Sequence, residues 1–92
     1  MTRGSTPRPI VADATIDGAI RHCHDELKRR MAMKGRGAFI SPHEALGAIT
    51  EEHKELIDAV QSNALGSVYA ELTDLAVGAI FAMASIRQGG MD

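Results

Sequence analysis

After Asp74 the sequence runs LAVGAIFAMASI, and this stretch constrains the fold more than any other. Wound into a helix, it is apolar nearly all the way round, and such a helix is buried on more than one side. The chain has 92 residues, which suits one small domain near the size where a single core is marginal. Two further helices can hardly cover the third. Self-association is therefore expected from the sequence itself, most simply a homodimer completing a larger helical bundle. The apolar payload is Ala, Leu, Ile, Val and Met, with no Trp, one Tyr and two Phe. Small side chains of this kind favour close helix–helix packing over a thick aromatic core.

The rest of the chain supplies those two helices. From about Asp13, Ile16, Ile20, Cys23, Leu27 and Met31 recur at three- and four-residue steps, the period of an amphipathic helix. Gly35 and Gly37 end it. "SPHE" at 41–44 is the clearest helix start: Ser41 caps, Pro42 fits the first turn, and Glu44 completes a capping box. This second helix is expected to reach about Gln61. "SNALGS" (62–67) reads as a turn broken by Asn63 and Gly66, with Ser67 capping a third helix from Val68 to about Gln88. Gly89 and Gly90 stop it. No stretch alternates with period two, so the fold class is all-α, a three-helix protomer. Residues 1–12, with Pro7 and Pro9 among polar neighbours, read as a flexible N-terminal arm, and 13–92 as a single domain.

Bulk properties narrow the function classes. The formal net charge is −2, which announces neither a nucleic-acid nor a membrane partner. The run Leu75–Ile86 is too short for a membrane span of about 20 residues. Arg3 and Arg8 precede no apolar signal core, and the lone Cys23 has no internal disulfide partner. A soluble, cytoplasmic protein is expected.

The acids carry the chemistry. On helix two, Leu46, Ile49, His53, Leu56, Ile57 and Val60 define the main apolar face, flanked by an arc of Ala45, Ala48 and Ala59. Glu52 falls within that arc and Glu55 at its border. Glu51 lies further round with Lys54 and Asp58, where ordinary surface salt-bridging is expected. On helix three, Glu71 and Asp74 share a stripe with Gly78, Ala82 and Ser85, a small-residue seam. Both pairs in one inter-helix cleft would bring four carboxylates together, with repulsion and desolvation to offset. A hard divalent cation held by oxygen ligands does so, and Mg²⁺ suits a few carboxylates plus substrate phosphates. A solvated face accounts for acid pairs at this spacing as readily, on geometry alone.

Glu52-x-x-Glu55, fifteen intervening residues, then Glu71-x-x-Asp74 resembles the signature of the MazG-like all-α nucleoside triphosphate pyrophosphohydrolases. Glu51 supplies the doubled acid that often opens the motif, and the resemblance covers roughly residues 41–86. It implies an Mg²⁺-dependent enzyme, with Mn²⁺ a possible substitute, that cleaves a nucleotide between the α- and β-phosphates. The products are a nucleoside monophosphate and pyrophosphate. Carried over, Glu52, Glu55, Glu71 and Asp74 would ligate the metal, and Glu52 or Glu55 would take a proton from the attacking water. The resemblance also implies a site completed by oligomerisation, as a homodimer or homotetramer. One departure stands out: where many members carry an Asn near the nucleotide, this chain has Phe81.

Other residues resist functional readings. His22 and His24 lie about 200° apart on a helix and cannot chelate one ion, and no second Cys supports them. His53 reads as a core or interface histidine. No Glu has a His three residues on, as a di-iron bundle requires. Lys28, Arg29, Arg30, Lys34 and Arg36 form the one basic cluster, read first as a solvated helix end and second as phosphate contacts. Without aromatic interleaving it does not read as a nucleic-acid surface. The competing function is a non-catalytic helical oligomerisation or binding module whose acids are surface groups.

Overall fold

A computed structural model describes residues 7–91. Three helices follow in order, α1 (Asp13–Lys34), α2 (Pro42–Gln61) and α3 (Leu65–Arg87), with no strand among the described residues. Residues 7–12 have no regular secondary structure and are exposed; the remainder of the expected arm, residues 1–6, lies outside the described residues.

Local chemistry explains each helix end. Asp13 in the first turn and Lys34 in the last turn of α1 complement the helix dipole. Gly35, at φ 91°, then turns the chain out while its N–H still reaches the Met31 carbonyl. At the start of α2 the Glu44 N–H donates to Ser41 Oγ (3.1 Å), as the capping box requires. The reciprocal arm differs from expectation: Glu44 Oε1 accepts from the N–H of Ile40, one residue before the cap.

The turn between α2 and α3 is tighter than the sequence suggests. Asn63 takes the left-handed conformation (φ 59°), which its short polar side chain tolerates. The chain reverses there, and the Val68 N–H already bonds the Ala64 carbonyl at 2.9 Å. Helix α3 therefore starts at Leu65, with Ala64 rather than Ser67 at the cap and Gly66 inside the helix. The result is an antiparallel α-hairpin of α2 and α3, against which α1 packs through α3 alone.

Packing corrects the reading of α2. Ala45 and Ala59 are its buried residues, while Ala48, the third alanine of the arc, is exposed. The aliphatic stripe expected to form the core divides: Ile49 and Leu56 are half-buried, but Leu46, Ile57 and Val60 are 61%, 44% and 56% exposed, and His53 is exposed with them. The two alanines win the inner position because they let the backbones approach. On α3, Val77, Thr73 and Ser85 are buried, the two hydroxyls donating to the carbonyls four residues back. Across the hairpin, a Cβ placed on Gly78 would sit 3.8 Å from Ile49 Cγ1, ordinary contact, so the small-residue seam is not packed to its limit there.

The opposite face of α3 is largely uncovered among the described residues. Leu65, Tyr69, Leu72, Ala76, Ala79, Met83 and Ile86 alternate at four- and three-residue steps. All but Ala76 in that register are exposed. That is the spacing of an a/d register. Alpha-3 is also longer than the apolar run inside it: its most apolar window has mean hydropathy 1.4, enough by length and composition to cross a membrane. Glu71 and Asp74 lie within the helix, and ionisable groups are costly in hydrocarbon.

A clasp closes the far end of the hairpin. The Phe39 N–H donates to Ser85 Oγ (3.0 Å) and the Gly90 N–H to the Ser85 carbonyl (2.8 Å). The loop after α1 is thus held to the end of α3. Gly90 presses so closely that a Cβ there would meet Ala38 Cβ at 2.7 Å, and only glycine fits.

Candidate metal centre

Antiparallel pairing puts the middle of α2 beside the first half of α3, and the acids follow. Glu52, Glu55, Glu71 and Asp74 each offer a carboxylate oxygen, and the four atoms lie within 4.8 Å of one another. Glu52, Glu71 and Asp74 are half-buried, while Glu55 sits at the exposed rim. Glu51, assigned to the outer surface by its place on the helix, is exposed and outside the cluster. The inter-helix cleft expected from the sequence is therefore where the structure gathers these four acids.

Their electrostatics are strained. Glu52 Oε2 and Glu71 Oε2 are both shut off from solvent and have no hydrogen-bond partner. Burial of an unpaired carboxylate oxygen is unfavourable unless something supplies positive charge. The Glu71 carboxyl is accordingly held above the ordinary carboxylate range, first by desolvation, then by the close Glu55 carboxyl and the charges of Glu55 and Glu52. Among the described residues one cation pairs with the cluster: Arg30, from α1, with Asp74. It also draws the Glu71 value down somewhat.

The donor set fits a hard divalent ion. All donors are carboxylate oxygens, and two of them lack any other partner. Two oxygens on one Mg²⁺ at about 2.1 Å lie at most roughly 4.2 Å apart, so small side-chain rotations would bring the present spacing into range.

Beside the acids opens a cavity of about 310 Å³, the lower end of the range for small-molecule sites. Arg30, Lys34, Glu52 and Asp74 supply its polar lining. Leu27, Met31, Val77, Phe39 and Phe81 are among its apolar lining residues. Phe39 and Phe81 meet edge to face, ring centroids 5.5 Å apart. Phe81, the departure from the expected Asn, is thus a wall of the cavity.

The basic cluster divides. Arg29 is tied to Glu26 by two bonds of 2.5 and 3.1 Å, and Lys28 and Arg36 are exposed away from the acids. Arg30 and Lys34 instead reach the cavity. A signal for this was present: Leu27, Arg30, Met31 and Lys34 occupy one helical stripe, so two cations share the inward face with two core-type residues. Phe39, in a loop, gave no periodic signal. His22 is exposed and leans on Tyr69, ring centroids 5.1 Å apart, and His24 lies near Asp25, so neither joins a metal set.

Compared with protein-family models, curated proteins and solved structures, the chain finds no match.

Proposed function

We propose that this protein is an Mg²⁺-dependent nucleoside triphosphate pyrophosphohydrolase, acting on (d)NTPs as a homo-oligomer. The observation that carries the reading is the convergence of four carboxylates, two with unpartnered buried oxygens, beside an aromatic-walled cavity bearing Arg30 and Lys34. The order and spacing of the acids, Glu52-x-x-Glu55 and Glu71-x-x-Asp74, add the resemblance to MazG-like enzymes.

In this reading Glu52, Glu55, Glu71 and Asp74 hold the metal. Bound there, Mg²⁺ supplies charge neutralisation for the phosphates and acidifies the attacking water. The side chains of Arg30 and Lys34 face the polyphosphate, and Phe39 and Phe81 offer apolar surface to the nucleoside. Water attacks phosphorus, the α–β anhydride bond breaks, and pyrophosphate leaves. Glu55, the one exposed acid, stands where solvent enters and accepts the proton from that water. The same reading takes the exposed register of α3, with Leu46, Ile57 and Val60 of α2, as the surface of a homodimer or homotetramer.

A non-catalytic oligomerisation module accounts for those outer faces equally well, but not for Glu52 Oε2 and Glu71 Oε2 turned inward without partners. The deciding experiment is a (d)NTP panel with Mg²⁺, read by pyrophosphate release. Wild type turns over at least one nucleotide, and Asp74→Asn and Glu55→Gln each lower kcat by about a hundredfold or more. Absence of turnover on every nucleotide, or turnover indifferent to both substitutions, sinks the enzyme reading.

A further inference from the structure

The acid cluster is not without a cation. Arg30 reaches across from α1 and pairs with Asp74, a residue 44 positions further along the chain. Both side chains are about three-quarters buried, with exposures of 26% and 25%. Alpha-1 contributes no buried residue of its own and packs on α3 alone, so this ion pair is one of the few ties holding it down. Four carboxylates against one guanidinium leave the cleft undercompensated, and the unpartnered oxygens of Glu52 and Glu71 mark where the deficit lies.

Resting on the metal-centre reading above, we infer that Arg30 is a resident counter-cation: it neutralises Asp74 while the metal is absent and is displaced when the metal binds. A metal ion on the Asp74 carboxylate would bring its charge close to the guanidinium already paired there, and like charges repel strongly at such range. The displaced guanidinium has a destination. Arg30 lines the cavity together with Lys34, one helical turn on, so release from Asp74 leaves two cations facing the space where a polyphosphate would lie. A metal–polyphosphate chelate satisfies both halves of the exchange at once, its metal taking the acids and its phosphates taking Arg30. Free metal alone would strand the arginine. Arg30 is in this sense a competitor of the metal at Asp74 and a binding residue for phosphate.

Mn²⁺ binding, followed by electron paramagnetic resonance on the full chain without nucleotide, tests the exchange. Removing the competitor by Arg30→Gln tightens Mn²⁺ binding about two- to fivefold, the size expected for a partly exposed ion pair. Arg30→Lys, which keeps a charge but loses the planar fork, gives an intermediate value. In wild type, the Arg30 Nε–H resonance shifts as diamagnetic Mg²⁺ is titrated, a readout that needs no variant to fold. Unchanged or weaker Mn²⁺ binding in a folded Arg30→Gln protein overturns the inference while leaving the metal centre standing. So does an Arg30 resonance that ignores a saturating Mg²⁺ titration. If wild type binds no Mn²⁺ at all, the metal centre and the inference fall together.

Discussion

The two faces of the α2–α3 hairpin are built the opposite way from an ordinary amphipathic hairpin. Its inner face carries Glu52, Glu71 and Asp74, half-buried. Its outer face carries Leu46, Ile57 and Val60 on α2 and Leu65, Leu72, Met83 and Ile86 on α3, all between 44% and 81% exposed. The buried hydrophobic residues are only Ala45, Ala59 and Val77 among the described residues. Three small side chains supply little of the apolar burial that a domain needs. Such an inversion makes sense when each face has its own missing complement, positive charge for the inner and another helix surface for the outer. The contrast separates the two: a change on one face should leave the other's complement in place.

The largest expected effect is on the outer face. Leu72→Glu puts a charge into the exposed register and, under the proposed self-association, should dissociate the oligomer, seen as a fall in mass by light scattering. Stability should drop by about 3 kcal/mol or more if a buried Leu is lost at each copy of the interface. An unchanged mass in both proteins would remove the outer face from the comparison. Next comes the inner face. Saturating Mg²⁺, at about a hundred times its dissociation constant, should stabilise wild type by about 2.7 kcal/mol, and Asp74→Asn should abolish most of that gain. Equal melting temperatures with Mg²⁺ and with chelator would contradict it.

The third prediction concerns protons. Glu71 holds its proton more tightly folded than unfolded, because burial and the neighbouring Glu55 and Glu52 disfavour its charge. The folded state then binds more protons between the unfolded and the folded pKa. Stability from this group is therefore present on the acid side, and declines as pH rises from the ordinary value of 4.5 through the raised one. In chelator, Glu71→Gln should flatten that decline and raise stability at neutral pH, while costing the Mg²⁺ response. Denaturant midpoints across the pH range, with and without Mg²⁺, measure both. The smallest effect is at the seam. A Cβ on Gly78 meets only Ile49 at 3.8 Å, so Gly78→Ala should stabilise α3 by about 0.5–1 kcal/mol and leave metal binding unaltered. A loss of stability would mean that the helices must approach more closely than they do here.

Much of this was legible in the sequence, and the misses share a cause. Helix α2 was announced by Ser41, Pro42 and Glu44, whose interactions are local. The separation of Glu52 from Glu51 needed only the helical period. What periodicity could not decide was which apolar stripe of α2 faces inward, because the aliphatic stripe is the more hydrophobic and the alanine arc the closer-packing. Tertiary packing took part of each: Ala45 and Ala59 are buried and Ile49 and Leu56 half-buried, while Ala48, Leu46, Ile57 and Val60 stay exposed. The start of α3 was misplaced for a related reason: Ser67 is a good cap, but reversal at Asn63 lets the helix begin before reaching it. Arg30 stood in the basic cluster, but its selection from five cations, and Phe39 altogether, needed three elements brought together.

The bond from Phe39 to Ser85 and the contact of Gly90 on Ala38 have a mechanical consequence. A helical hairpin joined only at its turn opens like tweezers, and the gap between its arms widens with every fluctuation. This one is joined at residues 62–64 and again where the loop at 38–39 meets the end of α3. Pinned at both ends, it is a closed frame, with the acids mounted between the two joints. Thermal bending then moves the arms together rather than apart. The spacing of the four carboxylates is set by the frame instead of by the acids, which repel.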